Sequence, residues 1–140
     1  MFTRINGRSA SAYRQLSVET SVAQANPHDL VNMLFDGLLM HLGSSRAAMQ
    51  RGDIKAKCKH VGAAVRILEE GLQCALNLEQ GGELASNLHN LYGYCVMRLT
   101  QANARNDDAA LAEVIELMEP VAHSWKRIGG FAAAPQLKAA

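Results

Sequence analysis

Proline is scarce in this chain of 140 residues, with three in all, and β-branched residues are few beside Ala, Leu, Met, Glu, Gln, Lys and Arg. That composition disfavours a sheet and favours helix throughout. Neither sign of charge is in excess: fourteen Lys and Arg stand against thirteen Asp and Glu, a formal +1, and neither sign forms a long block. Attraction to nucleic acid or to an anionic membrane by charge alone is thereby excluded. No apolar run is long enough to span a bilayer, and the start Met1-Phe2-Thr3-Arg4-Ile5-Asn6 lacks the apolar stretch of a secretory signal. A cytoplasmic protein without membrane insertion is expected.

The motifs of several chemistries are missing too. A carboxylate-bridged metal pair in a helical bundle needs Glu-x-x-His, which turns both ligands to one face. None of His28, His41, His60, His89 and His123 has Glu three residues before it. The three cysteines, Cys58, Cys74 and Cys95, are odd in number, have no Cys-x-x-Cys spacing and sit inside apolar helical patterns, so they read as reduced core thiols. There is no Gly-x-Ser-x-Gly and no phosphate-cradling glycine loop. The run Lys55-Ala56-Lys57-Cys58-Lys59-His60 fits a solvated helix face. No catalytic residue, cofactor or metal is expected.

What is present is helical periodicity. Asn26-Pro27-His28-Asp29 starts a first helix, with Asn as N-cap, Pro at the first helical position and Asp in the first turn. It runs through Leu30, Met33, Leu34, Gly37, Leu38, His41 and Leu42 to about Gln50, where Gly52 stops it. Glycine inside a helix costs about 1 kcal/mol against alanine, so close packing is expected at Gly37 or Gly43. Asp53 caps a second helix with a main apolar row Ile54, Cys58, Val61, Val65, Leu68, Leu72 and Ala75. A shallower row of Ala64, Ile67, Gly71, Cys74 and Leu78 runs beside it, small residues that make a groove or face a neighbouring helix of the same bundle.

The pair Gly81-Gly82 ends that pattern, and a third helix begins at once with Glu83 in its first turn. Its rows are Leu84, Leu88, Leu91, Cys95 and Ala102 on one line, with Ala85, Tyr92, Val96, Leu99 and Asn103 about a quarter-turn away. Near Ala104-Arg105-Asn106 it ends, and Asp107 or Asp108 caps a fourth helix carrying Leu111, Val114, Met118, Val121, Trp125 and Ile128. Pro120 interrupts this last pattern and predicts a kink. Four helices of about 23 residues, each about 35 Å long and joined by short turns, predict an all-α, antiparallel four-helix bundle over residues 26–128.

Residues 1–25 are expected to cap this bundle, with Tyr13, Leu16 and Val18 as a displaceable cover, and 129–140 to form a flexible tail. The surplus of apolar rows points to a groove that receives an amphipathic helix, with Ile67, Cys74, Leu78, Tyr92, Val96, Leu99 and Asn103 as its candidates. Two other classes stay open: a cofactor- or metal-binding bundle enzyme, and a structural bundle that pairs two copies as a homodimer.

Several motifs occur together in order: Tyr13 with Ser17-Val18-Glu19; Asn26-Pro27-His28-Asp29-Leu30 leading to Met33-Leu34-Phe35-Asp36-Gly37; Glu79-Gln80-Gly81-Gly82-Glu83-Leu84-Ala85-Ser86-Asn87-Leu88; Leu91-Tyr92-Gly93-Tyr94; Leu99-Thr100-Gln101-Ala102-Asn103 with Asn106-Asp107; and Trp125-Lys126. In these the chain resembles the flagellar export chaperones of the FliS type, from Tyr13 to about Ile128. The resemblance implies a cytoplasmic helical bundle that binds the disordered C-terminal segment of flagellin, prevents early polymerisation, and delivers it to the flagellar type III secretion apparatus. A component of the export gate, met through the chaperone–flagellin complex, would be a further partner. Gly93 departs from the resemblance, standing where an acidic or polar residue is usual between the two tyrosines, and Pro120 is a second departure.

Overall fold

A computed structural model describes residues 26–129; the expected cover at Tyr13, Leu16 and Val18 and almost all of the tail lie outside the described residues. Among the described residues every regular element is helical: α1 (Pro27–Gln50), α2 (Ile54–Arg66), a π-helical segment (Ile67–Leu72) with one last α-helical turn (Gln73–Ala75) that prolongs α2, α3 (Gly82–Arg105) and α4 (Asp108–Gly129). Each helix packs on the two beside it, α1 on α2 and α4, α3 on α2 and α4. The result is the expected antiparallel four-helix bundle.

The helix starts follow from local chemistry. Asn26 accepts a hydrogen bond from the Asp29 amide at 2.8 Å with Pro27 at the first helical position, and Asp53 accepts from the Ala56 amide at 3.1 Å. Asp107 is the cap of α4, its Oδ1 accepting from the Ala110 amide at 3.2 Å. Asn106 ends α3 in the left-handed conformation, φ 51°. A buried Lys57 reaches this corner from α2, its Nζ donating to the Asn103 carbonyl at 2.8 Å and to Asn106 Oδ1 at 2.6 Å. Bidentate bonds of 2.8 Å from Arg46 to Asp108 tie the end of α1 to the start of α4. At the other end of the bundle the His28 and Trp125 rings stack 4.8 Å apart. There His28 Nε2 donates to the Trp125 carbonyl at 2.8 Å, and Trp125 Nε1 to the His28 carbonyl at 3.1 Å.

The core is built from Phe35, Leu38 and Leu42 of α1, Val61, Ala64, Leu68 and Leu72, Tyr92, Cys95 and Leu99 of α3, and Leu111, Val114 and Met118 of α4. This corrects two expected rows. On α2, Ile54, Cys58 and Ala75 are exposed, and Lys57 and Ala64 are buried in their place. On α3 the core row is Ala85, Tyr92, Cys95, Leu99 and Ala102, while Leu84 is 69% exposed. Of the three thiols only Cys95 is buried; Cys58 and Cys74 are exposed, and all three are free.

One more expectation changes. The second helix ends at Ala75, and residues 76–81 intervene before α3, so Leu78 lies in a turn. Both glycines of the corner are structural necessities: a Cβ on Gly81 would stand 2.6 Å from the Asn77 carbonyl oxygen, and Gly82 has φ +59°. Finally, α4 runs past Pro120 to Gly129 as one helix. Glu116, whose carbonyl loses its helical donor to the proline, is exposed to water, as are Glu119 and Pro120.

Candidate partner-binding site

Regular helical geometry is interrupted where α1 meets α2 and the π segment. A π turn closes with bonds to the fifth residue back, and here the Gln73 amide donates to the Leu68 carbonyl. The Cys74 thiol donates to the Glu69 carbonyl at 3.3 Å. A π turn also rotates less per residue than the 100° of an α-helix, so side chains beyond it fall behind the expected row. That is why Cys74, in the expected groove row, is exposed; Leu78 at the far end of that row, 53% exposed, lies in the turn beyond the helix.

An open cleft of about 400 Å³ follows this seam, lined by Leu34 and His41 of α1 and by Ala63, Arg66, Ile67, Glu70 and Gly71 opposite. Glycine sets its depth. A Cβ on Gly71 would sit 3.0 Å from Leu34 Cδ2, and one on Gly37 would sit 3.4 Å from Ile67 Cδ1, so the absent methyls let the two walls approach. Gly43 has nothing within 4 Å of that position, so the close packing falls at Gly37. Met33 and Met40, a helical repeat of seven apart on α1, are exposed large apolar side chains. Methionine suits a face that must accept varied apolar shapes.

The seven groove candidates separate. Ile67 lines the cleft and is half-buried. Tyr92, at 3% exposure, and Leu99, at 0%, are placed in the core, so they form no wall of a surface groove; burial pushes the Tyr92 phenol up to about 12. Val96 is half-buried against the core. Asn103 is held at the α2–α3 contact, its carbonyl accepting from Lys57 and its Oδ1 from the Cys58 thiol at 3.4 Å. The rows through Ile67 and Leu78 and through Tyr92 and Leu99 therefore do not share one groove; α1 supplies the wall opposite Ile67. The glycines at 37 and 71, set against Leu34 and Ile67, are the sequence signal that would have located it.

The α3–α4 seam is closed by polar contacts instead. Glu113 accepts from the Tyr94 hydroxyl at 2.7 Å and from Arg98 Nε at 2.6 Å. Those two bonds, Tyr94 first, hold its carboxyl below the usual carboxylate range, and the bond to Glu113 raises the Tyr94 phenol. Gly93 lies within the continuous helix α3.

A four-helix bundle with one tied seam and one open, glycine-lined apolar seam is, as a class, a helical binding protein. The chain belongs to the FliS family: the family pattern described as flagellar protein FliS matches residues 9–131. Several relatives carry the name flagellar secretion chaperone FliS, three of them as follows. The Salmonella typhimurium protein is 45% identical over 117 residues, 84% of this chain and 87% of its own length. The Escherichia coli protein is 42% identical over 119 residues, 85% and 88% of the two chains, and the Bacillus subtilis protein 33% identical over 117 residues, 84% and 83%. Two motifs of the resemblance, around His28 and around Trp125, are each other's partners in the fold. No described helix is long and apolar enough to cross a membrane.

Proposed function

We propose that this protein is a cytoplasmic, non-enzymatic chaperone that binds the disordered C-terminal segment of flagellin, keeps it from polymerising prematurely and promotes its export by the flagellar type III apparatus. The observation that carries this reading is the open seam at Leu34, Ile67 and Gly71, an apolar cleft between two rigid helices. A filament subunit's terminal segment is made to pack helix on helix, and such a cleft substitutes for the neighbouring subunit. Ordering a flexible chain costs several kcal/mol, so the client must bury more area than one cleft offers. Leu78, Leu84 and Met97 are further exposed apolar side chains that a wrapping client could cover. Tyr13, Leu16 and Val18 would shield part of that surface until the client displaces them, and the loaded complex would then meet the export gate.

Calorimetric titration with a flagellin C-terminal peptide tests the reading. Saturable binding that Ile67→Asp weakens at least tenfold is expected; a wild-type protein that does not bind the peptide overturns it. Deleting residues 1–22 should raise the binding of an apolar dye and tighten the peptide, and an unchanged pair of readings removes the cover from the proposal.

A further inference from the structure

Charge is distributed unevenly among the seams. At the α1–α4 and α3–α4 seams charged side chains are paired, Arg46 with Asp108 at 2.8 Å, Lys126 with Asp36 at 2.9 Å and Arg98 with Glu113 at 2.6 Å. Along the α1–α2 cleft they are not. Arg66 and Glu70 line it, on α2 and its π extension, and neither forms an ion pair among the described residues; nor does Lys59, two turns before Arg66. All three are exposed. The α1 wall leaves them unanswered, because Asp36 and Arg46 are engaged by α4 while Leu34 and His41 face the cleft.

The signs are ordered along the helix. Lys59 and Arg66 come first, then Glu70 with Glu69 beside it, over about 16 Å. The positive end is felt inside the cleft: burial first, then His60, Lys59 and Arg66, hold the His41 imidazole below its ordinary range. At that end His41 and His60 also join the two helices, their Nδ1 atoms 3.0 Å apart in a hydrogen bond. The floor between is apolar, with Leu34, Ile67 and Gly71. An occupant must therefore turn apolar side chains inward and present negative charge at one end and positive at the other. A helix parallel to α2 does so with acidic residues in its N-terminal half and basic ones in its C-terminal half, which its own macrodipole favours. An antiparallel helix would need the reverse, which its macrodipole opposes.

We propose that the α1–α2 cleft takes an amphipathic helix of the client in one direction, parallel to α2, with Lys59 and Arg66 reading an acidic first half and Glu70 a basic last half. The inference rests on the client reading of this cleft. Exposed ion pairs are individually weak and screened by salt, so three together set the direction while apolar burial supplies the affinity.

Two amphipathic peptides of one length, composition and apolar face test it, one with acidic residues first and basic residues last, the other reversed. The whole wild-type chain should bind the first about tenfold more tightly, and high salt should narrow the gap. Exchanging the charges, Lys59→Glu and Arg66→Glu with Glu70→Arg, should invert the preference, and all three positions are exposed, so the fold tolerates the exchange. Without any variant, a nitroxide at the N-terminus of the first peptide should broaden amide signals at the start of α2 more than those at Gln73–Ala75. Equal affinities, a preference unmoved by the exchange, or broadening at the opposite end overturns the proposal. Failure of both peptides to bind, whether residues 1–22 or a second copy of the chain holds the cleft, overturns it too. Titration with the flagellin C-terminal peptide separates the two readings: its failure to bind, with the amphipathic peptides still told apart, sinks the client and leaves the direction of docking intact.

Discussion

Two of the bundle's four seams, α3–α4 and α1–α2, are built from different materials. Between α3 and α4, regular rows meet: Tyr92, Cys95 and Leu99 face Leu111, Val114 and Met118, and Tyr94, Arg98 and Glu113 close the outside. Between α1 and α2 the helical repeat itself changes at Ile67–Leu72, glycines stand at 37 and 71, and a cleft remains. An unbroken α repeat lets large side chains fill a seam completely. A π turn and missing methyls leave it shallow enough for another chain to complete.

The contrast is sharpest in truncations. Leu111→Ala, in the filled seam, should cost about 2–5 kcal/mol in a denaturant titration, because the rigid neighbours leave a cavity. Ile67→Ala, in the open seam, should cost clearly less while losing more client affinity. Equal costs would mean that the cleft wall is as integral as the core. Next in size is Lys57→Ala. It strips donors from the Asn103 carbonyl and from Asn106 Oδ1, and an orphaned buried polar group costs about 1–3 kcal/mol. Hydrogen exchange at the end of α3 should then accelerate before the rest of the bundle does.

The same contrast decides what is legible in the sequence. On α4 the row Leu111, Val114 and Met118 is readable and buried, because nothing before Pro120 disturbs the 3.6-residue repeat. The caps at Asn26, Asp53 and Asp107 are readable because they need only local chemistry. On α2 the reading fails at both ends. Lys57 is buried at 2% exposure by partners 46 and 49 residues away, which no local pattern reveals. Beyond Ile67 the π segment shifts the register on which Cys74 is expected, and the helix ends before Leu78. The expected groove sets Ile67 beside Tyr92 and Leu99, whereas in the fold Ile67 faces Leu34 across the cleft and Tyr92 and Leu99 lie in the core. The His41–His60 contact joins residues 19 apart on two helices, a meeting that depends on how α1 and α2 are rotated.

Gly71→Ala isolates the open seam with a smaller perturbation. Alanine gains up to about 1 kcal/mol of helix propensity, and its methyl meets the flexible end of Leu34 at 3.0 Å, which can turn aside. Stability should therefore change by no more than about 1 kcal/mol while the displaced Leu34 fills the cleft. Client affinity should fall about tenfold in calorimetry; unchanged affinity would place the client elsewhere on the bundle.

The smallest effect expected is a pH dependence peculiar to the α1–α2 seam. His41 is held below its ordinary imidazole range in the folded protein, so the unfolded chain takes up its proton more readily. Stability from this source is fully present above about pH 6.5, the unfolded value, and is lost as the pH falls from there through the folded value. The carboxyls of Asp108 and Glu113, lowered by Arg46 and by Tyr94 with Arg98, act in the same sense but further down, below about pH 4. Unfolding temperatures between pH 7.5 and 5 should thus decline gently in the wild type, and more weakly in His41→Gln, because that window holds the imidazole and not the carboxylates. Parallel curves would mean that the imidazole pair contributes nothing to the hold of α1 on α2, and that this seam rests on Leu34, Gly37, Ile67 and Gly71 alone.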